Sequence, residues 1–128
     1  MSDLVRVAVD AMGGDYAPVE PVKGAIEAVN ADERVKVQLV GQVDVIEKEL
    51  QKYTYPKERV EIVPATEIIE TGEPPVNAIR HKKDSSIVVG MKKVRYGEAD
   101  AFVSSGSTGA VLVGGQTIVG RIKGVEPP

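Results

Sequence analysis

Cysteine and tryptophan are absent from this 128-residue chain, phenylalanine and histidine each occur once, and aromatic residues make up only 4%. Without cysteine there can be no disulfide, no thiolate metal site and no thiol nucleophile. With so few aromatic rings, a core must be assembled from Val, Ile, Leu and Ala, which suits parallel strands buried on both faces. Positive charge is not in excess either: the formal net charge is -3 and the pI about 5.2. A dedicated nucleic-acid binder would carry a basic footprint, so that class is excluded. No apolar run approaches the roughly 18 residues needed to span a bilayer. The opening Met1-Ser2-Asp3-Leu4-Val5-Arg6 has no signal-peptide pattern. A cytoplasmic location is therefore expected. What remains, 42% hydrophobic and 27% charged, is ordinary globular material of a length that fits one domain over residues 1–128.

Four short Val-rich runs punctuate the chain: Val5 to Val9, Val35 to Val40, Val60 to Val63 and Ala101 to Val103. Each ends in small or polar residues, the pattern of strands buried on both faces. Helical stripes lie between them. Val22, Ala25, Ile26 and Val29 fall at i, i+3, i+4 and i+7, with Pro18 or Pro21 suited to the first turn. Val43, Ile46, Leu50 and Tyr53 give a second stripe, closed before Pro56. Ile87, Met91 and Val94 give a third, with Asp84 or Ser85 placed to cap it. A fourth helix begins near Thr108 and is apolar almost all round through Ala110, Val111, Leu112, Val113, Ile118 and Val119, which predicts that it is buried or packs against something outside this chain. Strands alternating with helices predict an α/β fold with a mostly parallel sheet between two helical layers.

In such a sheet, ligands bind outside the carboxyl ends of the strands, and three of these ends carry unusual sequence. The first, Asp10-Ala11-Met12-Gly13-Gly14-Asp15, pairs two glycines that allow close backbone approach. It reads equally as a tight turn with Asp15 capping the next helix. The second, Arg80-His81-Lys82-Lys83-Asp84-Ser85-Ser86, brings cations and hydroxyls to an expected helix start, an arrangement suited to anions but also common on solvated faces. His81, the sole histidine, has no nameable partner for base catalysis. The third, Ser104-Ser105-Gly106-Ser107-Thr108-Gly109, offers small residues whose N–H groups can converge on an oxyanion; a simple turn capped by Ser107 or Thr108 is the alternative. Other motifs are missing. There is no G-x-G-x-x-G, and Gly115 to Gly120 is followed by Arg121-Ile122 rather than the Lys and Ser/Thr of a P-loop. G-x-S-x-G is not matched, and no carboxylates sit with His or Cys at metal-ligand spacing.

These same residues resemble the signatures of the PlsX-type phosphate acyltransferases. Val7 through Pro18 is similar to their opening signature, and Arg80 with Lys82-Lys83-Asp84-Ser85-Ser86 to their second. Ala99-Asp100-Ala101 through Gly106-Ser107-Thr108-Gly109-Ala110 resembles the third, and Gly120 to Glu126 the segment that follows. The chain departs at Ser105 and Ser107, where family members often carry Ala and Asn. It is also much shorter than they are, so the resemblance implies the N-terminal part of a longer enzyme.

The resemblance further implies an architecture like that of isocitrate/isopropylmalate dehydrogenases and an acyl transfer. Inorganic phosphate would attack the thioester of a fatty acyl chain on acyl carrier protein, giving acyl phosphate for phospholipid synthesis. A membrane glycerol-phosphate acyltransferase would consume that product, and the enzyme would be a homodimer with peripheral membrane association. Phosphate-binding roles are then expected for Gly13, Gly14, Arg80, Ser85, Ser86, Ser105, Gly106, Ser107, Thr108 and Gly109. Lys82 and Lys83 compete to neutralise its charge, and Asp15 or Asp10 orients a lysine or a phosphate proton. Arg80 to Lys83 is the expected docking patch for the acidic carrier protein. A covalent route through Ser105 or Ser107 lacks a base. No metal or cofactor is expected. Two other readings stay open: a non-catalytic phosphate-binding α/β module, and an isopropylmalate-type dehydrogenase.

Overall fold

The computed structural model describes residues 4–115 and 118. Val119 and the Gly120 to Glu126 segment lie outside the described residues. Four strands, β1 (Val5–Asp10), β2 (Val35–Gly41), β3 (Val60–Pro64) and β4 (Ala101–Val103), form one parallel sheet in the order β3-β2-β1-β4. The register pairs Val5 with Val35, Gly41 with Pro64, and Val9 with Val103. The chain steps outward from β1 to β3, then returns to place β4 on the other side of β1. The order therefore reverses between β1 and β4, the kind of switch point where α/β sheets bind ligands.

The pleat divides the sheet's side chains between two helical layers. On one face Val37 and Leu39, with Val9 and Ile62, meet α1 (Val19–Ala31) and α2 (Val43–Leu50). The α1 stripe is as expected: Val22, Ala25, Ile26 and Val29 are its buried residues. On the other face Ala8, Val40 and Val63 meet α4 (Ser86–Arg95). There α4 also packs with α3 (Pro75–His81) and α5 (Thr108–Gly114) around Ile87, Met91, Ala78 and Ala110. The fold is the expected α/β sandwich of helices around a parallel sheet. Among the described residues no helix is long and apolar enough to cross a membrane.

Several local expectations need correction. The apolar stripes give no sign of the α3 helix, which starts at Pro74-Pro75. Yet proline fits the first turn of a helix, where its missing N–H costs nothing, and α3 carries only one buried residue, Ala78. Asp15 does not cap α1: Pro18 occupies that position and no side chain caps the helix. In α2, Val43 is exposed, and Tyr53 lies beyond the helix end. Between the candidate caps of α4, Ser85 takes the role by accepting from the Val88 N–H. Of the two readings of the fourth helix, burial within this chain fails for α5, since Leu112 is 61% exposed. Nor is β4 covered on both faces: Val103 is 54% exposed, and among the described residues β4 forms the sheet edge.

Candidate functional site

The strand register brings together the two loops that leave β1 and β4. Extending the pairing of Val9 with Val103 by one residue sets Asp10 beside Ser104. Asp10 is only 2% exposed, and both of its carboxylate oxygens are occupied. Oδ1 accepts the Met12 N–H at 3.0 Å, and Oδ2 accepts the Ser104 hydroxyl at 2.8 Å. The Ser104 Oγ in turn accepts the Gly106 N–H at 3.0 Å. A continuous chain of hydrogen bonds thus ties the β4 loop to the β1 loop.

The glycines are required by this closeness. A Cβ on Gly13 would collide with the Asp10 carboxylate and lie 2.9 Å from the Gly106 nitrogen. Gly14 has φ +91°, which disfavours any side chain, and a Cβ there would approach Ser105 to 3.2 Å. A cleft of about 250 Å³ opens over this junction, lined by Gly13, Gly14, Asp15, Tyr16, Glu20 and Ser105 among others. The N–H groups of Gly13, Gly14, Asp15 and Ser105 make no hydrogen bond among the described residues. Unengaged backbone donors at a small-residue turn can hold an oxyanion. The same lining carries two carboxylates, Asp15 and Glu20, and no cation. An apolar groove of about 290 Å³ adjoins the cleft, sharing Glu20, Pro21 and Ser105 with it.

Ser107 is 3% exposed, and its hydroxyl caps α5 by accepting the Ala110 N–H at 3.2 Å. Asn is an equally good N-cap, so the departure from the resembled pattern at this position is conservative in capping terms. Thr108 opens α5. Gly109 packs so near Pro75 that a Cβ would lie 2.5 Å from its ring. Ser105, in contrast, is exposed, and its hydroxyl makes no hydrogen bond among the described residues.

The cationic segment lies elsewhere in the fold: its first residues close α3, and its two serines open α4 as expected. Arg80 and His81 close α3, where the Arg80 charge suits the negative end of the helix dipole. Lys82 donates to the Glu73 carboxylate and to the Ile68 carbonyl, each at 2.7 Å. The Lys82 ammonium, followed by the Glu70 N–H, holds the Glu73 carboxyl below the usual range. Asp84 accepts from both the hydroxyl and the N–H of Thr66, and those bonds lower its pKa likewise. Ser85 and Ser86 are buried, with their N–H groups given to the carbonyls of Lys82 and Glu67. Lys83 is exposed and makes no ion pair among the described residues. No hydrogen bond or ion pair among the described residues joins the 80–86 segment to the glycine cleft.

So Gly13, Gly14, Asp15, Ser105 and Gly106 come together, whereas Lys82, Asp84 and Ser86 bind the 66–73 loop, Ser85 caps α4, and Arg80 and Lys83 stay exposed. Sequence reasoning placed Ser104 in the third motif without a role of its own, and it did not single out Glu20 or the pairing of Lys82 with Glu73. The adjacency of β1 and β4 is the signal that would have picked out Ser104.

A family model described as "Fatty acid synthesis protein" matches residues 5–128. Among curated proteins, a "Phosphate acyltransferase" of Alkaliphilus oremlandii is 50% identical over 125 residues, covering 97% of this chain and 37% of that protein. Proteins of the same name from Clostridium beijerinckii and Clostridioides difficile are 50% and 47% identical over 124 residues, covering 97% of this chain in each case and 37% and 36% of those proteins. The chain thus spans little more than a third of the length of these relatives. The match runs through the glycine turn of β1, the cationic segment and the β4 loop alike, and the chain belongs to the fatty acid synthesis protein family.

Proposed function

We propose that this chain supplies the phosphate-holding face of an enzyme that transfers a fatty acyl group from acyl carrier protein to inorganic phosphate. One observation carries the reading: the Gly13–Gly14 and Ser105–Gly106 turns meet at the sheet's switch point with unengaged N–H groups around an open cleft. The relatives' name gives the reaction class.

In the proposed reaction a phosphate oxygen attacks the thioester carbonyl carbon. The tetrahedral oxyanion then collapses, the C–S bond breaks, and the proton of the phosphate passes to the departing thiolate. The protein's task is to hold the reacting atoms about 3–3.5 Å apart and to meet developing charge with fixed donors. The N–H groups of Gly13, Gly14 and Ser105 are those donors. Asp15, exposed at the cleft, is assigned to carry the phosphate proton in preference to Asp10, both of whose oxygens are engaged. Ser107 cannot act as a nucleophile while its buried hydroxyl caps α5.

Lys82 is already neutralised by Glu73, so Arg80 and Lys83 are the exposed charges free to meet another partner. They are assigned to docking the acidic carrier protein, and Ser85 and Ser86 leave the proposed phosphate shell. The test is a chimera in which residues 5–128 replace the matching segment of the Alkaliphilus oremlandii relative. Mass spectrometry should detect acyl phosphate only when acyl-loaded carrier protein and phosphate are both supplied. A folded chimera that forms none overturns the reading. An acylated Ser105 isolated without phosphate would refute direct attack.

A further inference from the structure

The proposed phosphate cleft has a feature that its own chemistry does not explain: a buried carboxylate beneath a site for an anion. Asp10 touches no ligand position, yet it is 2% exposed and bonded at both oxygens. Like charge so near a phosphate should oppose binding. A residue there must contribute something that outweighs this repulsion. Its partners show what. Met12 and Gly106 belong to different loops, and the path from the Met12 N–H through Asp10 and the Ser104 hydroxyl to the Gly106 N–H is the only hydrogen-bonded link between those loops among the described residues.

The link also fixes polarity. Ser104 gives its hydroxyl proton to Asp10 and so can only accept from Gly106, which orients the Gly106 peptide inward. A Cβ on Gly106 would come within 3.3 Å of the Gly13 Cα, so the two turns already touch. A small rotation of the Gly106 peptide would therefore either close the cleft or separate the donors on its two sides.

We propose that Asp10 and Ser104 are positioning residues for phosphate: their hydrogen bond holds the Gly13–Gly14 turn and the Ser105–Gly106 turn at the spacing that lets N–H groups from both contact one anion. This rests on the phosphate reading of the cleft. Pre-set donors lose less freedom on binding, so the effect falls on affinity and leaves the fold in place.

The test follows amide shifts of the 128-residue chain during titration with inorganic phosphate, beside thermal melting. Ser104→Ala removes the link, Ser104→Thr retains the hydroxyl, and Asp10→Asn keeps the shape but supplies a donor where Ser104 needs an acceptor. Ser104→Ala and Asp10→Asn should each weaken phosphate binding by about tenfold, the scale of one charge-assisted hydrogen bond. Ser104→Thr should restore affinity to within about twofold of the parent on the same scale. A simple packing role would instead lower the melting temperature of all variants without this pattern of rescue. If the parent binds phosphate at the glycine amides and Ser104→Ala binds equally well, the positioning role is refuted while the cleft reading stands. If the parent shows no response at those amides, the cleft reading fails and the positioning role falls with it.

Discussion

The β1–β4 junction and the Arg80–Ser86 segment look alike as sequence, each mixing hydroxyls, charge and small residues near an element boundary, but the fold puts them to different uses. At the junction, small residues let two loops touch, and one carboxylate and one hydroxyl cross-link them beneath an open cleft. In the segment, hydroxyls and charges are consumed locally: Ser85 caps α4, Lys82 pairs with Glu73, and Asp84 binds Thr66. What distinguishes them is place in the topology. The junction lies where strand order reverses; the segment fastens the 66–73 loop after β3 to the start of α4.

The contrast can be broken most forcefully at glycine. Gly13→Ala is expected to cost about 1–3 kcal/mol, the usual penalty for an inserted methyl in a tight contact, measured as a lower urea midpoint. Gly72→Ala beside the second region, where a Cβ meets nothing within 4 Å, should shift stability by no more than about 0.5 kcal/mol. Equal effects would mean that the two loops do not touch. Next comes Ser85→Ala, which should cost about 1 kcal/mol through loss of the α4 cap and leave phosphate binding unchanged. A fall in phosphate affinity would bring the second region into the site.

Lys82→Met should cost at most about 1 kcal/mol, because its ion pair is partly exposed. The Glu73 carboxyl should then titrate closer to its ordinary range, observable by carbon NMR. The smallest effect concerns acid. Glu73 and Asp84 have lowered pKa values in the folded chain, so their contribution is complete above the ordinary carboxylate range and is lost as pH falls through the lowered values. Hydrogen-exchange protection of the Thr66 and Glu70 amides should therefore decline below about pH 4. Protection that rose on acidification would contradict those bonds.

Most of the architecture was legible because it rests on periodicity. All four strands and the buried α1 stripe follow from Val-rich runs and i, i+3, i+4, i+7 spacing. The α3 helix was not legible: it is short, starts at a proline pair and buries a single alanine. The candidate site was half legible. Gly13, Gly14, Ser105 and Gly106 announce themselves by composition, but Asp10 and Ser104 become partners only through long-range pairing, which local sequence does not encode. Conversely, Lys82, Ser85 and Ser86 have the chemistry of an anion site, but Glu73 pairs with Lys82, the Ser85 hydroxyl caps α4, and the Ser86 N–H goes to the Glu67 carbonyl.

The most direct test of the account is a nitrogen–proton correlation spectrum of the chain recorded during addition of inorganic phosphate. The account predicts saturable movement of the Gly13, Gly14 and Ser105 amides while Ser85 and Ser86 stay in place. Movement confined to residues 83–86, with the glycine turn silent, would contradict it.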